Sequence, residues 1–150
     1  MIENSDVLRK LLTILLRIAS RRTTEGYAFF VMDSLINKLQ RKYSLLKYIN
    51  IKDTRFLEDV EAITVFPDVD SISPSEVGSV VRSVILEMHR TLGASAGPFF
   101  YKEIARNLGS NHRSTMMNMG VDLNLMQLAY EVGKLERRVL DLRKSPKKIH

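Results

Sequence analysis

Near its end the chain repeats apolar side chains at alternating intervals of three and four residues, which places them along one face of a helix. The six repeating residues are Leu125, Leu128, Val132, Leu135, Val139 and Leu142. We call them the seam. Their spacing matches the a and d positions of a heptad repeat and predicts a long helix from about 122 to 144. Such a seam packs either against the protein's own core or against another chain.

Charged residues beside the seam favour one orientation for a pair of these helices. In a parallel pair Glu131 would face Glu136, and Arg138 would face Arg143, so both contacts would be repulsive. In an antiparallel pair Glu131 lies near Arg138 instead. Asp122 then lies near Arg143, so both contacts are attractive. Self-association through the seam is therefore predicted to be antiparallel, and packing within one chain is the open alternative.

Helical periodicity also runs through most of the remaining chain. Apolar residues recur at helical spacing over about 5–22, 25–48 and 74–92. Residues 101–120 read as two shorter helices that meet at Gly109. Five or six helices without a convincing sheet predict an all-α fold, a compact bundle with a long C-terminal heptad-patterned helix.

Several helix ends are marked by residues that satisfy free backbone groups. Ser5 is the predicted N-cap of the first helix. Ser73 is the predicted N-cap of the 74–92 helix, with Pro74 at its first position and Glu76 three residues after the cap. Gly93 is the predicted stop of the same helix.

One segment interrupts the helical pattern. Residues 53–70 form an irregular acidic connector, in which a short β-branched piece around 61–67 has no obvious strand partner. We expect one helical domain over residues 1–144, followed by a flexible basic tail at 145–150.

The composition restricts the classes of function. The chain contains no cysteine, which excludes disulfides and thiol chemistry and suits a reducing, cytoplasmic compartment. Basic residues interrupt the apolar N-terminal stretch, so no membrane span is expected. No histidine pair has the spacing of metal ligands, and no phosphate-binding loop is present. The sequence therefore calls for no metal and no cofactor.

The net charge of +6 is unevenly distributed. Residues 1–50 carry nine basic and four acidic groups, and residues 101–150 carry ten and five. Residues 51–100 carry four basic and eight acidic groups. Two basic ends around an acidic middle suit polyanion binding, self-association or ordinary solvated surface.

The stretch "YKEIARNLGSNHRSTMMNMG", residues 101–120, raises a DNA-binding alternative. It resembles the helix-turn-helix of bacterial and archaeal regulators, with one residue more in the turn than their usual pattern. That resemblance implies a second helix that reads bases through Asn111, His112 and Arg113, while Lys102 and Arg106 contact phosphates. Met116 and Met119 would face inward. The structural alternative is a tight corner in a helical bundle.

The sequence gives weaker evidence for a catalytic site than for an association surface or a DNA-binding segment. His89 lies on a helix without a recognisable partner, and Asp68 and Asp70 begin like a calcium loop that Ile72 interrupts. Glu58, Asp59 and Glu61 add carboxylates, but nothing pairs them with a nucleophile. A helical surface or partly buried place is expected for His89.

These observations predict a non-enzymatic regulatory or adaptor-like protein that acts through helix-mediated self-association, as a homodimer or with a protein partner. The alternative is a dimeric DNA-binding transcriptional regulator that uses residues 101–120. An enzyme or ligand sensor would need the 58–70 carboxylates to converge with His89 or Tyr101.

Overall fold

The computed structural model describes residues 2–54 and 61–144 and confirms the all-α prediction. Six α-helices make up most of these residues. They are α1 (Asn4–Arg22), α2 (Glu25–Gln40), α3 (Pro74–Leu92), α4 (Phe100–Leu108), α5 (Ser110–Asn118) and α6 (Leu123–Lys144). The predicted basic tail at 145–150 lies outside the described residues.

Helix α1 lies at the centre of the bundle. It contacts the four helices α2 to α5, which explains why its apolar face is wider than the single stripe of a surface helix. Eleven of its nineteen residues are buried. Helix α1 is therefore covered on more than one side.

The start of α1 differs from the prediction. Its N-cap is Glu3, which forms a reciprocal capping box with Asp6, and Ser5 lies within the first turn. Ser5 is buried and donates both its backbone N–H and its hydroxyl to Asp70, at 2.8 and 3.0 Å. The side-chain amide of Asn4 donates to the carbonyls of Val69 and Ile72. Residues 69–72, which are distant in sequence, thus accept hydrogen bonds from the polar groups of the first turn. A local sequence pattern does not reveal such a contact.

Helix α2 is shorter than the predicted 25–48 helix. It ends at Gln40, and the apolar pattern continues through a 3₁₀ turn, Ser44–Tyr48, which buries Leu45 and Leu46. A helical pattern in the sequence does not distinguish one long helix from a helix followed by a tighter turn.

The β-branched piece of the connector does find a partner. Strand β1 (Ile49–Ile51) pairs with β2 (Ile63–Val65) in an antiparallel ribbon, with Ile49 opposite Val65. The expectation of a strand without a partner was therefore wrong. Ile63 and Val65 are buried, and β2 packs on α1, so burial on the bundle stabilises a ribbon that is too small to be stable alone.

Helix α3 has the predicted ends. The Ser73 hydroxyl accepts the N–H of Glu76 at 3.4 Å, and the chain leaves the helix at Gly93 with a positive φ of 56°. Gly78 lies against the backbone of Met119, because a Cβ built on Gly78 would be 1.9 Å from the Met119 carbonyl oxygen. This glycine allows α3 to pack closely on the end of α5.

Helices α4 and α5 form a corner at a single residue, Gly109, whose φ is +83°. Met116 and Met119 face inward, as predicted. Three residues of α4, Ile104, Ala105 and Leu108, are buried beneath the corner.

Within the part of the chain that the structure describes, helix α6 is attached to the bundle by its first part. Its buried residues are Leu123, Met126 and Gln127, and the Gln127 amide donates to the carbonyl of Pro98 at 2.9 Å. Every residue from Lys134 to Lys144 is exposed. In the part of the chain that the structure describes, no helix is both long and apolar enough to cross a membrane.

Candidate association surface and the other predicted sites

The seam points away from the body of the protein. Its six side chains are 45–75% exposed, and the residues that anchor α6 occupy other helix positions. With Leu125 at position a, the anchoring residues Met126 and Gln127 fall at b and c. The structure therefore leaves the seam free of the chain's own core, which the sequence pattern alone did not decide.

Residues 131–144 form a helical arm about 21 Å long, at 1.5 Å per residue. Gly133 is half-buried, and the other residues of the arm are exposed. An isolated helix of this length is marginally stable in water, because helices in proteins gain most of their stability from packing an apolar face. The arm carries such a face without packing it.

The charges beside the seam remain available for a second chain. Arg138 and Arg143 form no hydrogen bond or ion pair within residues 2–54 and 61–144. Glu131 accepts the side-chain N–H of Gln127 at 3.1 Å, and Asp122 accepts the N–H of Leu125 at 3.1 Å as the cap of α6. These two carboxylates are therefore held near the seam while keeping further acceptor capacity.

The five residues of the predicted DNA-binding segment are on the surface but do not share one face. Lys102 and Arg106 are exposed on α4. On α5, Asn111 and Arg113 are exposed and His112 is half-buried. His112 lies in a depression against α1, whereas Arg113 lines a separate depression beside the start of α6.

The corner also differs from a helix-turn-helix in its turn. Such motifs use a turn of about three or four residues to bring the second helix across the first. Here only Gly109 separates α4 from α5. The extra turn residue inferred from the sequence is instead part of α5, which begins at Ser110.

His89 belongs to an aromatic cluster. Its ring stacks on Phe100 at 5.0 Å between centroids, and its Nδ1 lies 2.7 Å from the Tyr101 hydroxyl oxygen. Tyr130 approaches it edge-on. Burial lowers the pKa of His89 and raises the pKa of Tyr101, so it favours the neutral form of each group. His89 is half-buried, which agrees with the prediction of a helix-surface or partly buried place.

The acidic residues do not gather around this cluster. Asp70 binds the start of α1 through Ser5, and neither Asp68 nor Glu61 forms a hydrogen bond or ion pair with His89 in the structure's described portion. Glu58 and Asp59 lie outside the described residues. Within residues 2–54 and 61–144, no group of three or more metal-ligating side chains is present.

Sequence reasoning missed a concentration of cations between α1 and α4. Arg21 and Arg22 approach Glu103, a carboxylate that is only 8% exposed, and Arg22 does so at 3.8 Å. Lys102 and Arg106 line the same depression. Lys10, Arg17 and Arg21 lie at the spacing of one helix edge, which is the basic edge of α1, but only the tertiary structure places α4 beside it.

Comparisons with protein-family models, with curated proteins and with solved structures find no match for this chain.

Proposed function

We propose that this protein is a non-enzymatic regulatory or adaptor-like protein that acts through self-association of its α6 arm. The observation that supports the proposal is the exposure of the whole seam, from Leu125 to Leu142, on a helix that projects from the bundle. We assign a second copy of the same chain as the occupant. A cytoplasmic location is part of the proposal, since a chain without cysteine suits a reducing compartment.

An antiparallel pair buries the seam in consistent layers. Its layers pair an a residue with a d residue: Leu125 with Leu142, Leu128 with Val139, and Val132 with Leu135. Each layer occurs twice in the dimer because the pair has two-fold symmetry. The six seam side chains of each copy, 45–75% exposed in the single chain, would thus become buried.

Charge complementarity supports a second copy over an unrelated partner. In this register Glu131 lies beside Arg138 of the other copy, and Asp122 lies beside Arg143. Exposed pairs of this kind contribute up to about 1 kcal/mol each, so the charges select orientation while the apolar layers provide most of the affinity.

Sedimentation equilibrium over a protein concentration series tests the proposal, with Arg138→Glu as the informative variant. In the antiparallel pair the carboxylate introduced at position 138 would face Glu131, so we expect about tenfold weaker association from two repulsive contacts per dimer. In a parallel pair it would face Arg143 and association would strengthen. Adding Glu131→Arg to Arg138→Glu restores the antiparallel contacts and should restore the affinity.

Arg137→Glu is the matched control, because it makes the same change of charge at position f, away from the seam. It should leave association nearly unchanged. A monomeric wild-type protein at every concentration measured would overturn the proposal. Stronger association of Arg138→Glu would retain the dimer but refute its orientation.

The DNA-binding alternative remains a second proposal, supported by the exposed polar head of α5 after the Gly109 corner. It predicts that Arg113→Ala weakens binding to duplex DNA and leaves stability nearly unchanged, since Arg113 is exposed. Binding of random duplex DNA in a salt series measures this. Duplex binding that Arg113→Ala does not alter would remove this proposal.

A further inference from the structure

Two depressions follow one another along α1, on the side that faces α4 and α5. The first has a volume of 510 Å³ and lies between Lys10 and Arg17 of α1 and His112 of α5. The second has a volume of 380 Å³ and lies between Arg21 of α1 and Arg106 of α4. We call the two together the α1–α4 groove.

The groove brings about a third of the chain's 23 basic side chains together. Seven cationic side chains line it: Arg9, Lys10, Arg17, Arg21, Arg22, Lys102 and Arg106. The two carboxylates that line it are already engaged, Asp6 with Arg9 at 3.6 Å and Glu103 with Arg21 and Arg22. Five positive charges therefore remain uncompensated, close to the +6 of the whole chain. The chain contributes this charge from α1 and α4, which are about eighty residues apart in sequence.

An exposed aromatic ring lies at one end of the groove. Phe99 immediately precedes α4, is 59% exposed, and lines the second depression. The Lys102 ammonium lies 5.5 Å from the centroid of its ring. An accessible ring beside cations is the combination that binds a base by stacking while neighbouring charges hold phosphates.

The dimensions and chemistry distinguish between polyanions. From Lys10 to Arg21 the groove follows α1 for about 16 Å, the length of four or five phosphates in a stacked strand. That is longer than a mononucleotide. A duplex keeps the faces of its bases inside the helix and offers none to Phe99, and an acidic peptide has no base to stack. A single strand offers both phosphates and free base faces.

We propose that the α1–α4 groove binds single-stranded nucleic acid, with phosphates along Lys10, Arg17 and Arg106 and a base on Phe99. The proposal concerns a surface separate from the seam and does not depend on self-association. It also differs from the helix-turn-helix alternative, which requires duplex DNA read by Asn111, His112 and Arg113. The two proposals share Lys102 and Arg106 as phosphate contacts, so the base-reading residues and Phe99 distinguish them.

Fluorescence anisotropy with labelled twelve-residue oligothymidine and oligouridine, and with a duplex of the same length, tests the proposal in a salt series. For four neutralised phosphates we expect the logarithm of the association constant to fall with the logarithm of salt concentration with a slope of about −3. The paired variant Arg17→Ala with Arg106→Ala should reduce that slope in magnitude by about 1.4. Both residues are exposed and unpaired among the described residues, so the fold should persist.

Phe99→Ala separates stacking from charge. It should weaken single-strand binding by roughly 5- to 150-fold without changing the salt slope, because only the stacking contact is lost. Phe30→Ala, which removes a 67% exposed ring from α2, is the matched control and should leave binding unchanged. The charge control is Arg41→Ala with Arg137→Ala, which removes two exposed cations elsewhere.

The outcomes either support or overturn the proposal. Single-strand binding that falls with the Arg17 and Arg106 pair and with Phe99→Ala, but not with the controls, supports it. No single-strand binding at low salt overturns it. Equal loss in the charge control also overturns it, since the effect would then follow net charge alone. Preferential duplex binding that Arg113→Ala removes overturns it in favour of the DNA-reading segment.

Discussion

Replacing Leu135 by Asp tests whether the seam is an interface or part of the fold. Leu135 is 60% exposed on the arm, so little of its surface is buried against the chain's own core. In the antiparallel dimer it packs against Val132 of the other copy, near the two-fold axis. The substitution should therefore alter association far more than it alters the stability of one chain.

The magnitude follows from the surface that remains to be buried. Burying a leucine completely contributes about 1.5–3 kcal/mol, so three-fifths of it corresponds to about 1–2 kcal/mol for Leu135 and twice that for the two copies in a dimer. Placing a charged carboxylate in the layer adds at least about 1 kcal/mol. A total of about 3 kcal/mol or more corresponds to at least about a hundredfold increase in the dissociation constant.

Leu140→Asp provides the matched control. Leu140 is 50% exposed on the same arm but lies at position b, outside the seam. Both variants lose helix propensity by the same amount, roughly 0.5 kcal/mol. Sedimentation equilibrium measures association, and urea unfolding below the dimer concentration range measures the stability of the single chain.

Two results would refute this reasoning. Equal association of Leu135→Asp and Leu140→Asp would show that the seam is not the interface. A loss of single-chain stability that is several kcal/mol larger in Leu135→Asp than in Leu140→Asp would show that Leu135 packs within its own chain.

Two further predictions concern the fold. Gly78→Ala should destabilise the protein by about 1–3 kcal/mol, because its Cβ would collide with the Met119 carbonyl, whereas Gly133→Ala, with open space around it, should stabilise its helix by up to about 1 kcal/mol. Urea unfolding measures both, and the same sign in both variants would contradict the packing. The second prediction is that His89→Phe reduces the decrease in stability that the wild-type protein shows between pH 7 and pH 5. Thermal unfolding at a series of pH values measures this.

The sign of the pH effect follows from the lowered pKa of His89. Because burial depresses this pKa in the folded state, the unfolded chain binds more protons near its ordinary value of 6.5, and stability falls as pH decreases below it. Tyr101→Phe is the control. It removes the hydroxyl that contacts His89 at a cost of about 1 kcal/mol, yet it keeps the imidazole and therefore the pH dependence. An unchanged pH profile in His89→Phe would show that another group causes it.

The sequence by itself determined the class of fold and several helix ends. Helical periodicity identified α1, α3 and α6, because the alternation of apolar residues depends only on local geometry. Ser73, Pro74 and Gly93 marked the ends of α3 for the same reason, since capping groups act within one turn. The inward direction of Met116 and Met119 also followed from local spacing.

Other features depend on partners that are distant in sequence. Asp70 accepts hydrogen bonds from Ser5 in the first turn of α1, and β2 pairs with a strand that begins at Ile49. Nothing in a local pattern specifies these contacts, because each joins residues that are far apart in the sequence. The sequence gives both residues of each contact, but it does not show that they lie close together in the fold.

For the candidate surfaces too, some features were visible in the sequence and others depend on the tertiary structure. The spacing of the seam and the charges of Glu131 and Arg138 were visible in the sequence, and they predicted an antiparallel pair. Only the tertiary structure decided that α6 anchors through Met126 and Gln127 and leaves the seam in solvent. It also decided that the basic edge of α1 lies beside the basic face of α4. A helix has several faces, and the sequence defines each of them, but packing against the rest of the chain determines which face remains exposed.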